Sequence, residues 1–205
     1  VYSGTNTVIY MYYGNGTVGS QQNPTGVWSS YLGVWHLNNT VTDSTGTYNG
    51  VDTGTSDAPG KIARGRSFDG TDYITISGQL GKPATVTLSA WANLNTADTK
   101  GAEVISIQNN ATLRMDDSTE GTKGFFFNWT GKLWASTSAG MFLAGTSWHY
   151  LTYVANPGGN NEVLYIDGVA RKTTSWGEGI QYRNGIDTFI GKHSAYNTYD
   201  FNGVI

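Results

Sequence analysis

From Thr85 to Leu94 the chain alternates strictly, placing Val86, Leu88, Ala90, Ala92 and Leu94 on one face. Successive side chains of a strand point to opposite sides, so this pattern calls for a strand with one buried face. Similar short signals recur to the end of the chain. They are Val34–Leu37, Ser67–Ile76, Val104–Ile107, Leu113–Met115, Phe125–Trp129, Leu133–Ala135 and Trp148–Ala155, then Val163–Ile166 and Val169–Arg171 around an Asp167-Gly168 turn, then Thr188–Gly191 and Phe201–Ile205. Asp-Gly between two apolar runs is a strong hairpin signal. Many short strands with turns between them predict an all-β, antiparallel jelly-roll sandwich. The 28 glycines and 13% aromatic content fit tight turns and pleated surfaces. Leu, Glu, Lys, Ala and Arg are too sparse to fill helical faces, so no helix beyond a turn or two is expected.

Charge and cysteine usage narrow the chemistry. The net charge is −3 with no Lys/Arg cluster, which leaves nucleic acid without its electrostatic footprint. No apolar run is long enough to span a bilayer, so no membrane insertion is expected. The absence of Cys removes thiolate metal sites and Cys nucleophiles. Catalysis of glycoside cleavage needs two carboxylates about 5–10 Å apart. The four Glu (Glu103, Glu120, Glu162 and Glu178) have no acidic residue two positions away, and the adjacent Asp116 and Asp117 diverge on a strand. No catalytic residues are therefore assigned. His36, His149 and His193 lie far apart and show no metal-ligand spacing.

Residues 1–32 stand apart from the rest. Thr7 to Tyr13 reads as one strand closed by Gly14-Asn15-Gly16, followed by a polar linker. A lone strand cannot bury itself. Val8, Ile9, Tyr10, Met11, Tyr12 and Tyr13 are thus expected to pair with the main domain, a neighbouring chain or a missing domain. The start at Val1 reads as a processed product or an excised piece of a longer chain. The main domain is assigned to residues 33–205.

Several motifs, in order, resemble one family. They are GVWHLN…DSTGTYNG at 33–50, GRSFDGTDYITI at 65–76, TVTLSAWANL at 85–94, SWHYLTYVAN at 147–156, EVLYIDGVA at 162–170 and TFIGKHS…FNGVI at 188–205. Together they resemble the laminin-G-like, concanavalin-A-like jelly-roll domains of bacterial and archaeal surface proteins. Residues 1–32 are similar to the tail of a β-domain that precedes such modules. The resemblance implies a secreted or cell-surface, non-catalytic module that binds glycan or protein ligands. It also implies a further full strand after Phe201–Ile205, so the sandwich is expected to lack its last strand.

The resemblance places a structural Ca²⁺ in the loop Asp43–Gly50, with Asp43 and Asn49 as side-chain ligands. The alternative is an Asx-turn in which Asp43 bonds its own backbone. Asp69 and Asp72 are explained by a turn. For glycan stacking, Trp129, Trp134, Trp176, Tyr196 and Tyr199 lie near turns and are the candidates for exposure, whereas Trp35, Trp91 and Trp148 are assigned to structure. A second function stays open: a structural subunit of an extracellular filament, surface layer or viral fibre, joined to copies of itself by sharing the strand Val8–Tyr13.

Overall fold

The computed structural model describes residues 8, 10–96, 101–108, 110–116, 121–128, 131–139, 145, 147–156, 161–175, 178–182, 186–193 and 199–205. A single turn of helix, α1 (Pro24–Val27), precedes fourteen strands. The first group is β1 (Gly50–Thr53), β2 (Ser56–Pro59), β3 (Arg64–Asp69), β4 (Tyr73–Ile76), β5 (Val86–Leu94), β6 (Glu103–Ile107) and β7 (Ala111–Arg114). The second is β8 (Lys123–Asn128), β9 (Gly131–Ser136), β10 (Trp148–Asn156), β11 (Asn161–Ile166), β12 (Val169–Thr174), β13 (Thr188–Ile190) and β14 (Asn202–Val204). They form two seven-stranded antiparallel sheets. Sheet I runs β1-β4-β13-β6-β7-β8-β9, and sheet II runs β12-β11-β10-β5-β14-β3-β2. Among the described residues no helix is long and apolar enough to cross a membrane.

The alternation in β5 does what the pattern requires. Val86, Leu88, Ala92 and Leu94 are buried in the core between the sheets, where they join Leu151, Tyr153 and Ala155 of β10 and Leu113, Phe126 and Ala135 of sheet I. Gly124 marks how closely the layers approach. A Cβ there would lie 2.2 Å from the Tyr153 ring, so only Gly lets sheet I pass this point.

The structure corrects several sequence-based expectations. Val34–Leu37 is not a strand; it makes a single bridge, Trp35 to Asp43, because Leu37 (φ 56°) and Asn39 (φ 58°) turn left-handed. Val8 and Tyr10–Tyr13 form no strand in this chain and are exposed. As the alternation of β5 requires, Trp91 belongs to the outer face of sheet II, against Tyr150 at 5.2 Å with the Lys61 ammonium 5.1 Å above it. The strands β1 and β2 were missed because Gly-Val-Asp-Thr and Ser-Asp-Ala-Pro carry no apolar alternation. Arg66 holds these two edges together. Its guanidinium bonds Asp52, Asp57 (2.6 Å) and the Thr55 hydroxyl (2.8 Å), joining β1 of one sheet to β2 and β3 of the other.

One carboxyl lies inside the sandwich. Glu162 of β11 is 1% exposed, accepts a bond from the Tyr153 hydroxyl through Oε1, and leaves Oε2 without a partner among the described residues. Burial pushes its pKa from 4.5 up to about 7, with the Tyr153 bond pulling the other way. Because the folded value is raised, the unfolded chain releases this proton first. The contribution of Glu162 to stability is greatest below about pH 4.5 and declines until the folded group has ionised near pH 7. Thermal melts should therefore show a falling Tm between pH 5 and pH 8. Glu162→Gln should flatten that slope and raise Tm at pH 8, at roughly 2–4 °C per kcal/mol recovered.

Candidate functional site

The register of sheet I builds two rows on its outer face. Phe189 lies opposite Ser106, Ser106 opposite Thr112, Thr112 opposite Phe125, and Phe125 opposite Trp134. The next row out is Glu103, Arg114, Lys123 and Ser136, again paired strand to strand. Their intervening neighbours Leu113 and Ala135 point into the core, which fixes both rows on the opposite face.

The rows meet in a contiguous cluster. Phe125 stacks on His193 at 6.3 Å, and His193 packs on Tyr199 at 5.0 Å. The Arg114 guanidinium lies 4.0 Å over the Tyr199 ring and 6.0 Å over Phe125, and the Lys123 ammonium is 5.0 Å over Trp134. Such cation–π contacts orient both partners, and Arg114, Lys123 and His193 are themselves buried. Arg114 also pairs with Glu103 at 2.8 Å, with both side chains almost fully buried. Glu103 Oε1 is buried with no hydrogen-bond partner among the described residues. Trp134 is the open end of the platform, at 40% exposure. The result is a packed row of rings and charges, in which Glu103, Arg114, Lys123 and His193 are buried and the exposed Trp134 ring offers a π-face for stacking on a flat, partly apolar ligand.

Of the residues expected to bind ligand, Trp134 and Tyr199 are brought into this cluster. Trp129, Trp176 and Tyr196 lie outside the described residues. Sequence reasoning missed Phe125, His193, Arg114, Lys123 and Glu103. The signal available was the period-two placement of Arg114 and Thr112, and of Lys123 and Phe125, opposite to core residues. Its meaning depended on cross-strand register. The other histidines are engaged elsewhere: His149 Nδ1 is 2.8 Å from Asp167, and His36 packs edge-on to Trp28 at 5.5 Å.

The loop expected to hold calcium has another use for its carboxylate. Asp43 is buried, and its Oδ1 accepts the N–H groups of Val34 (2.8 Å) and Thr45 (2.9 Å). Its Oδ2 accepts the Thr45 hydroxyl (2.5 Å) and the N–H groups of Thr47 (3.2 Å) and Tyr48 (2.9 Å). Asn49 Oδ1 accepts the Asp43 N–H at 3.0 Å. Five donors surround the carboxylate, so their hydrogens stand where a cation would approach, and these residues do not fit calcium as arranged. Among the described residues no group of three His, Asp or Glu converges on a point. Asp69 likewise serves its turn, accepting the Thr71 N–H (2.8 Å) and hydroxyl (2.7 Å), while Asp72 accepts the Asp69 N–H (3.1 Å).

With the fold and face in place, comparison with known proteins gives a family. A laminin-G model, described as the concanavalin A-like lectin/glucanases superfamily, matches residues 68–205. The chain belongs to this superfamily. No curated protein matches its sequence. Among solved structures it is similar to domain 4 of AbnA, a GH43 extracellular arabinanase of Geobacillus stearothermophilus solved with arabinotriose (TM-score 0.63, 18% identity, 82% of this chain and 84% of that one). It is also similar to the binding domain of botulinum neurotoxin DC in complex with SialylT (TM-score 0.59, 16% identity, 84% of this chain) and to mouse laminin α1 domains LG4-5 (TM-score 0.52, 13% identity, 73% of this chain). It spans 43% and 39% of those two chains. At these identities the likeness is one of fold.

In the loop at 43–50, burial would raise the Asp43 carboxyl, but bonds from Thr45, Val34 and Tyr48 outweigh it and hold it below its ordinary value. Its contribution to stability is present above that ordinary value and fades as pH falls through the lowered one. Asp43→Ala should destabilise by about 3–5 kcal/mol, as expected when a buried hydrogen-bond hub is removed. Chelation with EDTA should leave Tm unchanged. A drop in Tm with EDTA, restored by Ca²⁺, would show instead that the loop rearranges around a cation.

Proposed function

We propose that this chain is a non-catalytic, extracellular glycan-binding module, and that the outer face of sheet I is its binding surface. The observation that carries this reading is Trp134, an exposed ring at the end of a row that also holds Phe125, with the buried Lys123 ammonium 5.0 Å from its centre. Pyranose and furanose rings present an apolar C–H face that packs on aromatic rings, and hydroxyls that need charged or amide partners around the rim. The fold neighbours solved with arabinotriose and SialylT are in keeping with such a role, and they supply the first probes. A binding role rather than hydrolysis is supported by Glu103, whose carboxylate is held by Arg114 instead of standing opposite a second acid.

The test is a glycan array that includes arabino-oligosaccharides and sialylated glycans, followed by calorimetry on any ligand found. Trp134 is surface-exposed, so Trp134→Ala should keep the wild-type Tm while weakening binding at least about tenfold, or 1.4 kcal/mol. A Trp134→Ala chain that binds as tightly as wild type would move the site off this face. An array with no binder would remove the glycan reading altogether.

A further inference from the structure

The buried acid Glu162 has a second orphaned oxygen beside it. Glu162 lies directly opposite Thr174 in the β11–β12 ladder, and directly opposed residues project from the same face of a sheet. Thr174 Oγ1 is buried and, like Glu162 Oε2, meets no hydrogen-bond partner among the described residues. The face is the inner one, since Leu164, two residues along β11, belongs to the core. Both oxygens thus lie under the margin of sheet II, where β11 and β12 rest against β9 of sheet I.

The described groups around this pair do not offset a negative charge. From β10, Ala155 is the register partner of Glu162, and Tyr153 donates its hydroxyl to Glu162 Oε1. Burial, then the adjacent carboxyl, holds that phenol above its ordinary value, so it stays a donor. From sheet I come Gly124 of β8, pressed on Tyr153, and the core residues Leu133 and Ala135 of β9, all uncharged. On β12, Arg171 and Lys172 are exposed. Burial accordingly raises the Glu162 carboxyl to about 7, with the Tyr153 bond acting against it.

The element that can yield is the edge strand. β12 is the last strand of sheet II, five of its six residues are exposed, and its register with β11 shifts between Leu164 and Tyr165. Its one half-buried residue is Thr174. In contrast β11 is paired on both sides and buries Leu164 and Ile166. Sparsely buried elements open at a lower free energy than the whole domain. Neutral Glu162 carries its own proton and tolerates a dry site; ionised, it needs water or further donors. We infer that β12 is a pH-gated edge: ionisation of Glu162 releases the Thr173–Thr174 end of β12 from β11, which admits water to the carboxylate. The release bares the N–H and C=O groups along the outer side of β11, a surface able to pair with another strand.

Amide exchange, divided by the intrinsic rate at each pH, reads this opening. The β12 amides bonded to β11 should lose about thirtyfold in protection from about pH 5.5 to about pH 8.5, the ratio for a carboxyl at 4.5 when open and about 7 when closed. At the higher pH they should be at least about tenfold less protected than Leu151–Ala155 of β10, which are paired on both sides, because the edge opens without the domain. Glu162→Gln should remove the pH dependence. A second variant leaves the acid in place. The chain has no Cys, and Val163 and Thr173 are register partners, so oxidised Val163→Cys/Thr173→Cys should hold β12 closed while its reduced form opens as the wild type does. The inference is overturned by β12 protection that does not change with pH, by β12 and β10 amides of equal protection at the higher pH, by pH dependence that persists in Glu162→Gln, or by opening that the disulfide leaves unchanged.

Discussion

Sheet I must bury one face, and the strand register that satisfies this burial also assembles the other. Leu113, Gly124 and Ala135 lie side by side because they pack against sheet II, with Tyr153 pressed to Gly124. Once those three are aligned, Arg114, Lys123 and Ser136 are aligned one step along the strands, and Thr112, Phe125 and Trp134 one step the other way. A slip of one residue would send the whole aromatic row into the core and expose the core row. The platform is thus held in place by apolar packing on its far side. Its own cation–π and ion-pair contacts refine ring orientation rather than establish it.

The two carboxylates most removed from solvent illustrate different solutions to the same cost. Glu103 is buried as an ion, held by Arg114 in a bond that also braces the Tyr199 ring. Glu162, between the sheets, accepts one phenol bond and has one oxygen without a partner among the described residues, and burial pushes it toward its neutral form. Asp43 is a third case: with five donors it remains charged while buried, and it ties the Val34 segment to the Thr45–Tyr48 turn. That turn packs Trp35 and Tyr48 onto the core, which makes residues 34–48 part of the sandwich wall.

Much of the fold was legible in the chain. The alternation at Thr85–Leu94, the Asp167-Gly168 hairpin and the spacing of short strands are local signals, and most strands formed within a few residues of their expected bounds, while Ser67–Ile76 divided into β3 and β4 of different sheets. The exceptions have physical causes. Gly50–Thr53 and Ser56–Pro59 are polar edge strands held by pairing and by Arg66 rather than by burial. Val34–Leu37 looked like a strand from its side chains, but a left-handed Leu37 ends any ladder. The candidate site was only partly legible: Trp134 and Tyr199 stood out as aromatics near turns, while Arg114, Lys123, Phe125 and His193 read as ordinary strand or loop residues.

By itself the sequence determined that this protein is an antiparallel sandwich, because side-chain period and turn chemistry are properties of neighbouring residues. Only the tertiary structure decided which outward residues share a row. Strand order and register are set by contacts between residues far apart in the chain. Glu103, Arg114, Lys123 and Ser136 come from four strands, and nothing in their local sequence says that they are neighbours.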